Sequence, residues 1–282
     1  TTVAVLSLAL GIGANAAIFS LFDQILLRSL PVQQPERLVN LAAPGPKHGS
    51  QSCNQAGGCD VVFSYGMFRD LQEGETGFSG IAAHRSFSAN LAHTAQTTNG
   101  QGMLISGNYF QVLGVQPALG RLLTPADDQQ IGAHFVTVLS HRYWDNQLGA
   151  DPAVLNSTLV VNGQPMTVVG VAAPGFAGTT IGAQPDVFVP ITMRGQMTPG
   201  WEGFDNRRSY WAYLFGRLDP GLSMEQADER INTLYSSIVN EVEVPLQTSM
   251  TEQTMERFKT KRVLLEEGYQ GQSSMHAEAE TP

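Results

Sequence analysis

The chain has 282 residues, 42% hydrophobic and 15% charged, enough apolar material for one large core or two modest ones, and it is not compositionally disordered. Its net charge is −9 and its only lysines are Lys47, Lys259 and Lys261, a balance that excludes nucleic acid as a partner. Residues 1–22 carry no charged side chain. As a helix they would span about 33 Å, enough for a hydrocarbon core of about 30 Å.

Within this run, Gly11-Ile12-Gly13-Ala14-Asn15-Ala16 fits the glycine turn that cradles a dinucleotide pyrophosphate. That turn requires an acid closing the next strand about 20 residues on. Here Glu36 stands before the next apolar run instead. Gly11, Gly13, Ala14 and Ala17 suit a membrane helix better, because small residues let a neighbouring helix approach closely. Ala14-Asn15-Ala16 also matches a signal-peptidase site, but no basic segment precedes it and the apolar pattern runs on to Leu27. The expectation is an uncut transmembrane helix over 1–30, with upstream sequence lost before Thr1 and everything after 30 across the membrane. No later stretch approaches 18 apolar residues.

Pro31 and Pro35 end this first helix and stiffen a short connection, since proline fixes φ. Leu38 to Ala42 then reads as a strand and 43–60 as a loop rich in Gly, Pro, Ser and Asn. Within that loop Cys53 and Cys59 stand six residues apart; in an exported body a disulfide is the first reading, two free thiols the second, and a metal site with His48 a distant third. Ser64 caps a helix with Met67, Phe68 and Leu71 on one face. Strands follow at 81–91 and 102–105, then a short helix from Asn108 to Leu113 stopped by Gly114.

From 114 to 203 the pattern becomes β-rich. Asn162-Gly163 between two β-prone runs signals a hairpin, Val136 to Leu139 is a further strand, and Arg142-Tyr143-Trp144 sits on a short helix. Trp211 to Leu218 alternates as a strand. Ser223 and Gln226 form a capping box for a helix carrying Ala227, Ile231, Leu234 and Ile238, and 262–266 supplies the next strand. The predicted fold is therefore α+β: two β-α-β halves, 31–113 and 204–270, flank a β-rich insert at 114–203, and 271–282 forms a polar tail.

No catalytic constellation emerges: nucleophile-elbow, zinc-protease and phosphate-loop motifs are all missing. The acid pairs Asp127-Asp128 and Glu266-Glu267 read as solvated turns or edges, and the histidines show no metal spacing. His141 beside Arg142, Tyr143 and Trp144 reads as a helix packing on a sheet. Trp201, Phe204, Tyr210 and Trp211, and separately Tyr109 and Phe110, read as core or lobe-junction aromatics before they read as a binding wall. Catalytic, cofactor and metal residues are thus expected to be none.

The stretch "ISGNYFQVLGVQPALGR" (105–121) resembles the signature of the MacB-like periplasmic core domain. "LALGIGANAAIFSLFDQILLRSLP" is similar to that family's first membrane helix, "ADPAVLNSTLVVNGQPMTVVGV" to its hairpin region, "PGFAG" to the following turn, and "GRLDPGLSMEQADERI" to its last helix. The resemblance covers the chain to about Met275. It implies an ABC-transporter permease subunit of the MacB/FtsX type without a fused ATPase. Its helix would sit in the lipid bilayer of the bacterial inner membrane, with a porter-like lobe and inserted β-rich lobe in the periplasm. It further implies a separate cytoplasmic ATPase subunit, a homodimer or paired permease half, a periplasmic adaptor, and a role in transmitting motion during export or efflux. The alternative of a different class is an exported ligand-binding or chaperone-like body handling lipid or lipoprotein. The family carries further membrane helices after the body, where this chain has "GQSSMHAEAETP", so truncation is expected there.

Overall fold

The computed structural model describes residues 11–13, 29–54, 56–94 and 96–273. Most of the expected membrane helix over 1–30, including Ala14 and Ala17, lies outside the described residues; residues 11–13, with Gly11 and Gly13, are helical and exposed. Among the described residues no helix is long and apolar enough to cross a membrane.

The body is a mixed α+β fold built on one large sheet. Strand β1 (Leu38–Ala42) leads through two short strands, β2 (Ser50–Gln51) and β3 (Phe63–Ser64), into helix α1 (Tyr65–Glu73). The Ser64 hydroxyl accepts the Met67 N–H and so satisfies one of the free donors of the first turn, while Met67, Phe68 and Leu71 turn inward. The chain continues as a long hairpin, β4 (Phe78–His93) and β5 (Gln96–Ile105), and then helix α2 (Tyr109–Leu113). Gly114 ends α2 at φ 69°, the left-handed cap that favours glycine.

The middle of the chain adds β6 (Pro117–Gly120), β7 (Val136–Leu139), helix α3 (His141–Leu148), β8 (Thr158–Val161), β9 (Gln164–Ala172), β10 (Val187–Pro190) and the short helix α4 (Arg194–Met197). Asn162 and Gly163 join β8 to β9 with φ values of 49° and 81°, the positive pair that a two-residue hairpin turn requires. Strand β11 (Ser209–Leu218), helix α5 (Met224–Ile238), helix α6 (Glu252–Lys259) and β12 (Leu264–Glu267) complete the order.

Within the sheet the order runs β12-β1-β11-β4, every neighbouring pair antiparallel. Each β-α-β half is therefore split by a strand of the other half, the interleaved arrangement of ferredoxin-like units. The sheet does not stop at the expected insert. β5 pairs with β4 and, in parallel, with β10, and the ladder continues through β7 and β9 to β6.

Period-two alternation divides the apolar residues between two faces. Leu104, Val187, Val189 and Leu214 join the core under α1 and α5. Met103, Ile105, Phe188 and Phe215 join the one beneath α2, with Phe110 and Phe176. The apolar stripe of α5 differs in one residue from its sequence reading: Tyr235 is buried and Leu234 only partly, because 231, 235 and 238 keep the helical spacing.

Phe188 has no exposure and packs edge-on against Phe110, whereas Phe135 is 37% exposed. Urea unfolding should show Phe188→Ala losing about 3–5 kcal/mol and Phe135→Ala less than about 1 kcal/mol.

Candidate coupling junction

The connection from residue 30 to the body is not a free linker. Leu30 N–H donates to Tyr269 O at 2.8 Å, and Gln33 N–H to Leu113 O at 3.3 Å. Pro31 lies exposed in a bend and half-buried Pro35 opens the 3₁₀ turn Pro35–Arg37, where a missing N–H costs nothing.

Between them the guanidinium of Arg217, near the end of β11, gathers four backbone carbonyls. It donates to Gln34 O at 3.0 Å, to Gln33 O at 2.6 Å, to Leu113 O at 3.3 Å and to Val112 O. Val112 and Leu113 end α2, where carbonyls lack helical partners and a basic side chain is a natural donor. Gln34 is held at φ 44°, a left-handed conformation that costs a non-glycine residue on the order of 1 kcal/mol. Arg217 on its carbonyl and Arg37 on its side chain (2.9 Å) hold it there.

The returning segment is fastened as tightly. Gly268 N–H donates to Leu38 O at 2.8 Å, and Asn40 Nδ2 donates to Gly271 O at 2.9 Å. Gln272 is 5% exposed, although it falls in the stretch expected to be a polar tail. Its backbone pairs with Thr179 O (2.7 Å) and Ile181 N–H (2.9 Å), and its side-chain amide donates to Leu214 O at 2.9 Å. The amide oxygen of Gln272 accepts from His84 Nε2, which leaves His84 Nδ1 buried with no partner. One residue thus joins β4, β11 and the loop before β10. That loop is also tied to α2, where Tyr109 Oη and Thr179 Oγ1 lie 2.9 Å apart.

A cavity of about 390 Å³ opens beside this junction, lined by Asn40, Gly57, Glu267, Tyr269 and Gln272 among others. The loop on its other side carries a bond between Cys53 and Cys59, with Cα atoms 5.1 Å apart. Tyr213 pins that loop to β11, its hydroxyl accepting from Asn54 N–H (2.6 Å) and donating to Gly57 O (2.9 Å).

The sequence matches the MacB-like periplasmic core domain over residues 1–234. The chain belongs to this family. Three solved structures resemble the MacB-like body. The periplasmic region of MacB from Actinobacillus actinomycetemcomitans is 14% identical, with a TM-score of 0.55 over 89% of this chain and 95% of that one. A domain from Porphyromonas gingivalis described as a permease protein is 17% identical, with a TM-score of 0.51 over 83% and 91%. The extracellular domain of the ABC-type transporter YknZ from Gram-positive bacteria is 16% identical, with a TM-score of 0.49 over 70% and 91%. No curated protein matches the chain.

The remaining sequence candidates of the MacB-like chain fall in scattered places. Asp127 and Asp128 are buried, not solvated: Asp127 closes a capping box with Thr124 and pairs with Arg121 at 2.7 Å, and Asp128 accepts from Gly107 N–H at 3.0 Å. Hydrogen bonds to Arg121 and Thr124 outweigh burial and lower the Asp127 pKa, whereas burial raises that of Asp128. The expected aromatic group divides as well. Phe204 and Trp211 meet Tyr65 of α1 and Trp201 packs on both of them, Tyr210 lies beside Lys261, and Tyr109 and Phe110 pack in the opposite core. His141 meets Trp144 edge to face, ring centres 5.4 Å apart. Among the described residues no group of three His, Cys, Asp or Glu is placed to hold a metal ion.

Arg217, Gln272 and His84 escaped sequence reading. Each is one polar residue whose partners, backbone carbonyls for Arg217 and Gln272 and the Gln272 side chain for His84, lie far along the chain, so no spacing announces it.

Burial lowers the His84 pKa to about 4, with the Gln272 bond opposing it, against 6.5 for the free side chain. A depressed base binds fewer protons in the folded than in the unfolded state, so its contribution is full above pH 6.5 and is lost as pH falls toward 4. Denaturation from pH 7 to pH 4 should show a loss of up to about 3 kcal/mol from this group. In His84→Met that pH-dependent component should vanish while stability at pH 7 drops.

Proposed function

We propose that this MacB-like domain is the periplasmic body of an ABC-type permease of the MacB/FtsX type. Residues 1–30 anchor it in the bacterial inner membrane, and it transmits motion driven by a separate cytoplasmic ATPase to periplasmic partners during export. Residues 31–113 and 204–270 form the porter-like part around the insert at 114–203. A second permease half or second copy completes the assembly, and an adaptor is the partner at the far end.

The observation that carries this reading is the restraint at the junction. Arg217 and the Leu30–Tyr269 hydrogen bond fix the incoming segment, and Gln272 fixes the returning one. Displacement of either membrane connection is then delivered to β11 and to the loop before β10, where a slack linker would absorb it.

In the intact transporter, Arg217→Met or a Gly-Ser replacement of residues 31–35 should leave folding and ATPase activity nearly unchanged while export falls severalfold. Export at the parental rate in both variants sinks the transmission reading. For the periplasmic placement, chain recovered from cells without reductant should be two hydrogens lighter than its dithiol form, through the Cys53–Cys59 bond. Two freely alkylated thiols argue against that compartment.

A further inference from the structure

The sheet ends at β12 in an edge that no strand of the described chain covers. β12 pairs with β1 on one side, and among the described residues no strand lies on the other. Gly268 N–H donates to Leu38 O, so by the alternation of an antiparallel ladder Leu264 and Glu266 also turn their N–H and C=O groups toward β1. Leu265 and Glu267 then direct theirs outward. Among the described residues neither N–H meets an acceptor, and the one donor to either carbonyl is Asn40 Nδ2, a long 3.5 Å from Glu267 O. Leu264 is 47% exposed, and Glu266 and Glu267 are exposed beside it.

Space for side chains adjoins this edge. The junction cavity of about 390 Å³ falls in the size range of ligand pockets, and Asn40 and Glu266, cross-strand partners in the β1-β12 ladder, both line it. A side chain level with Glu266 on an added strand would stand one strand spacing away, within reach of the same space. Glu267 and Tyr269 line the cavity as well, and no basic side chain does. Glu267 has no ion-pair partner among the described residues. The cations just before the strand do not offset it, because Arg262 is held by Asp228 at 2.7 Å and Lys261 is buried.

Charge decides the occupant. A second copy paired at this edge would gather four carboxylates on two short strands, between chains that each carry a net charge of −9. A short acidic edge resists pairing of that kind, but it attracts a basic strand. We propose that the outer edge of β12 and the adjoining cavity bind an extended basic segment of a partner protein. The segment adds a strand through the backbone of Leu265 and Glu267, with apolar residues level with Leu264 and Leu265 and Arg or Lys level with Glu266 and Glu267. Backbone hydrogen bonds supply the affinity, and the two acids select the partner. The inference is separate from the transmission reading, because it is read without transport.

The test uses the full chain in a non-ionic detergent and two fluorescein-labelled peptides, Thr-Arg-Arg-Val-Val-Thr and Thr-Val-Val-Arg-Arg-Thr, which complement β12 in the antiparallel and parallel directions. A glutamate-for-arginine version of each is the control. At least one arginine peptide should give a saturable rise in anisotropy that weakens with added sodium chloride, and should slow amide exchange at Leu265 and Glu267. The glutamate versions should not bind. Glu267→Lys changes an exposed side chain and should weaken binding at least about tenfold. Leu265→Pro removes one outward N–H and spares the bonds to β1, so it should weaken binding by about the same factor, while Leu265→Ala stays within about threefold of wild type. Absence of saturable binding by both arginine peptides overturns the proposal. So does equal affinity for the glutamate versions, unchanged affinity in Glu267→Lys or in Leu265→Pro, or protection that falls outside 264–268. Protection of 264–268 that grows with protein concentration in the absence of peptide assigns the edge to a second copy and overturns it too.

Discussion

Burial on both faces of β11 is the constraint from which the rest of the body follows. Every residue of this strand except Arg217 is buried; its first half pairs with β2 and β3, and its second half, from Tyr213 on, with β1 and β4. A strand covered on two sides needs a core on each, so α1 and α5 must lie over one face and α2 over the other. The single half-exposed position, Arg217, is where the strand reaches the surface and where the chain arrives from residue 30. About six residues earlier, roughly 20 Å along an extended chain, Trp211 belongs to the aromatic corner around Arg194. Near one end β11 thus presents Arg217 to four carbonyls, and near the other its Trp211 packs beneath Arg194 of α4.

Rigidity at the junction comes from backbone acceptors. The four carbonyls that Arg217 gathers come from two separate segments, so the guanidinium acts as a cross-link between Gln33-Gln34 and the end of α2. Prolines 31 and 35 restrict the segment locally, but they could not by themselves orient it against the sheet. The same division holds on the returning side. The turn at Gly271 reverses the chain, and Gln272 decides what the reversed chain touches.

What was legible in the sequence was local. Ser64 and Ser223 announced their helices because a cap and its N–H partner lie within three residues. Asn162-Gly163 announced its hairpin because the turn demands positive φ at both positions. Distant contacts, and strands with solvent on both sides, leave no such local signal. The sequence marks strands only at 81–91 and 102–105, yet the β4-β5 hairpin runs over Phe78–His93 and Gln96–Ile105. Its tip is polar and exposed, so no apolar alternation marks it. Continuity of the sheet between β5 and β10 was equally hidden, because that parallel pair is separated by more than 80 residues. The aromatic residues 201, 204 and 211 were visible as a group. Arg194 among them was not, since only folding brings a charged residue under two indoles.

Leu30 and Tyr269 share a backbone hydrogen bond although 239 residues separate them. The body therefore closes on itself before either end departs, and the sheet interleaves its first and last strands to keep it closed. An element whose two ends meet occupies, from outside, no more room than a turn. It is a cassette: a whole domain can be carried between two neighbouring helices without prising them apart. The interleaving of β12, β1 and β11 thus decides more than packing, because it brings the entry and the exit of the body to one place.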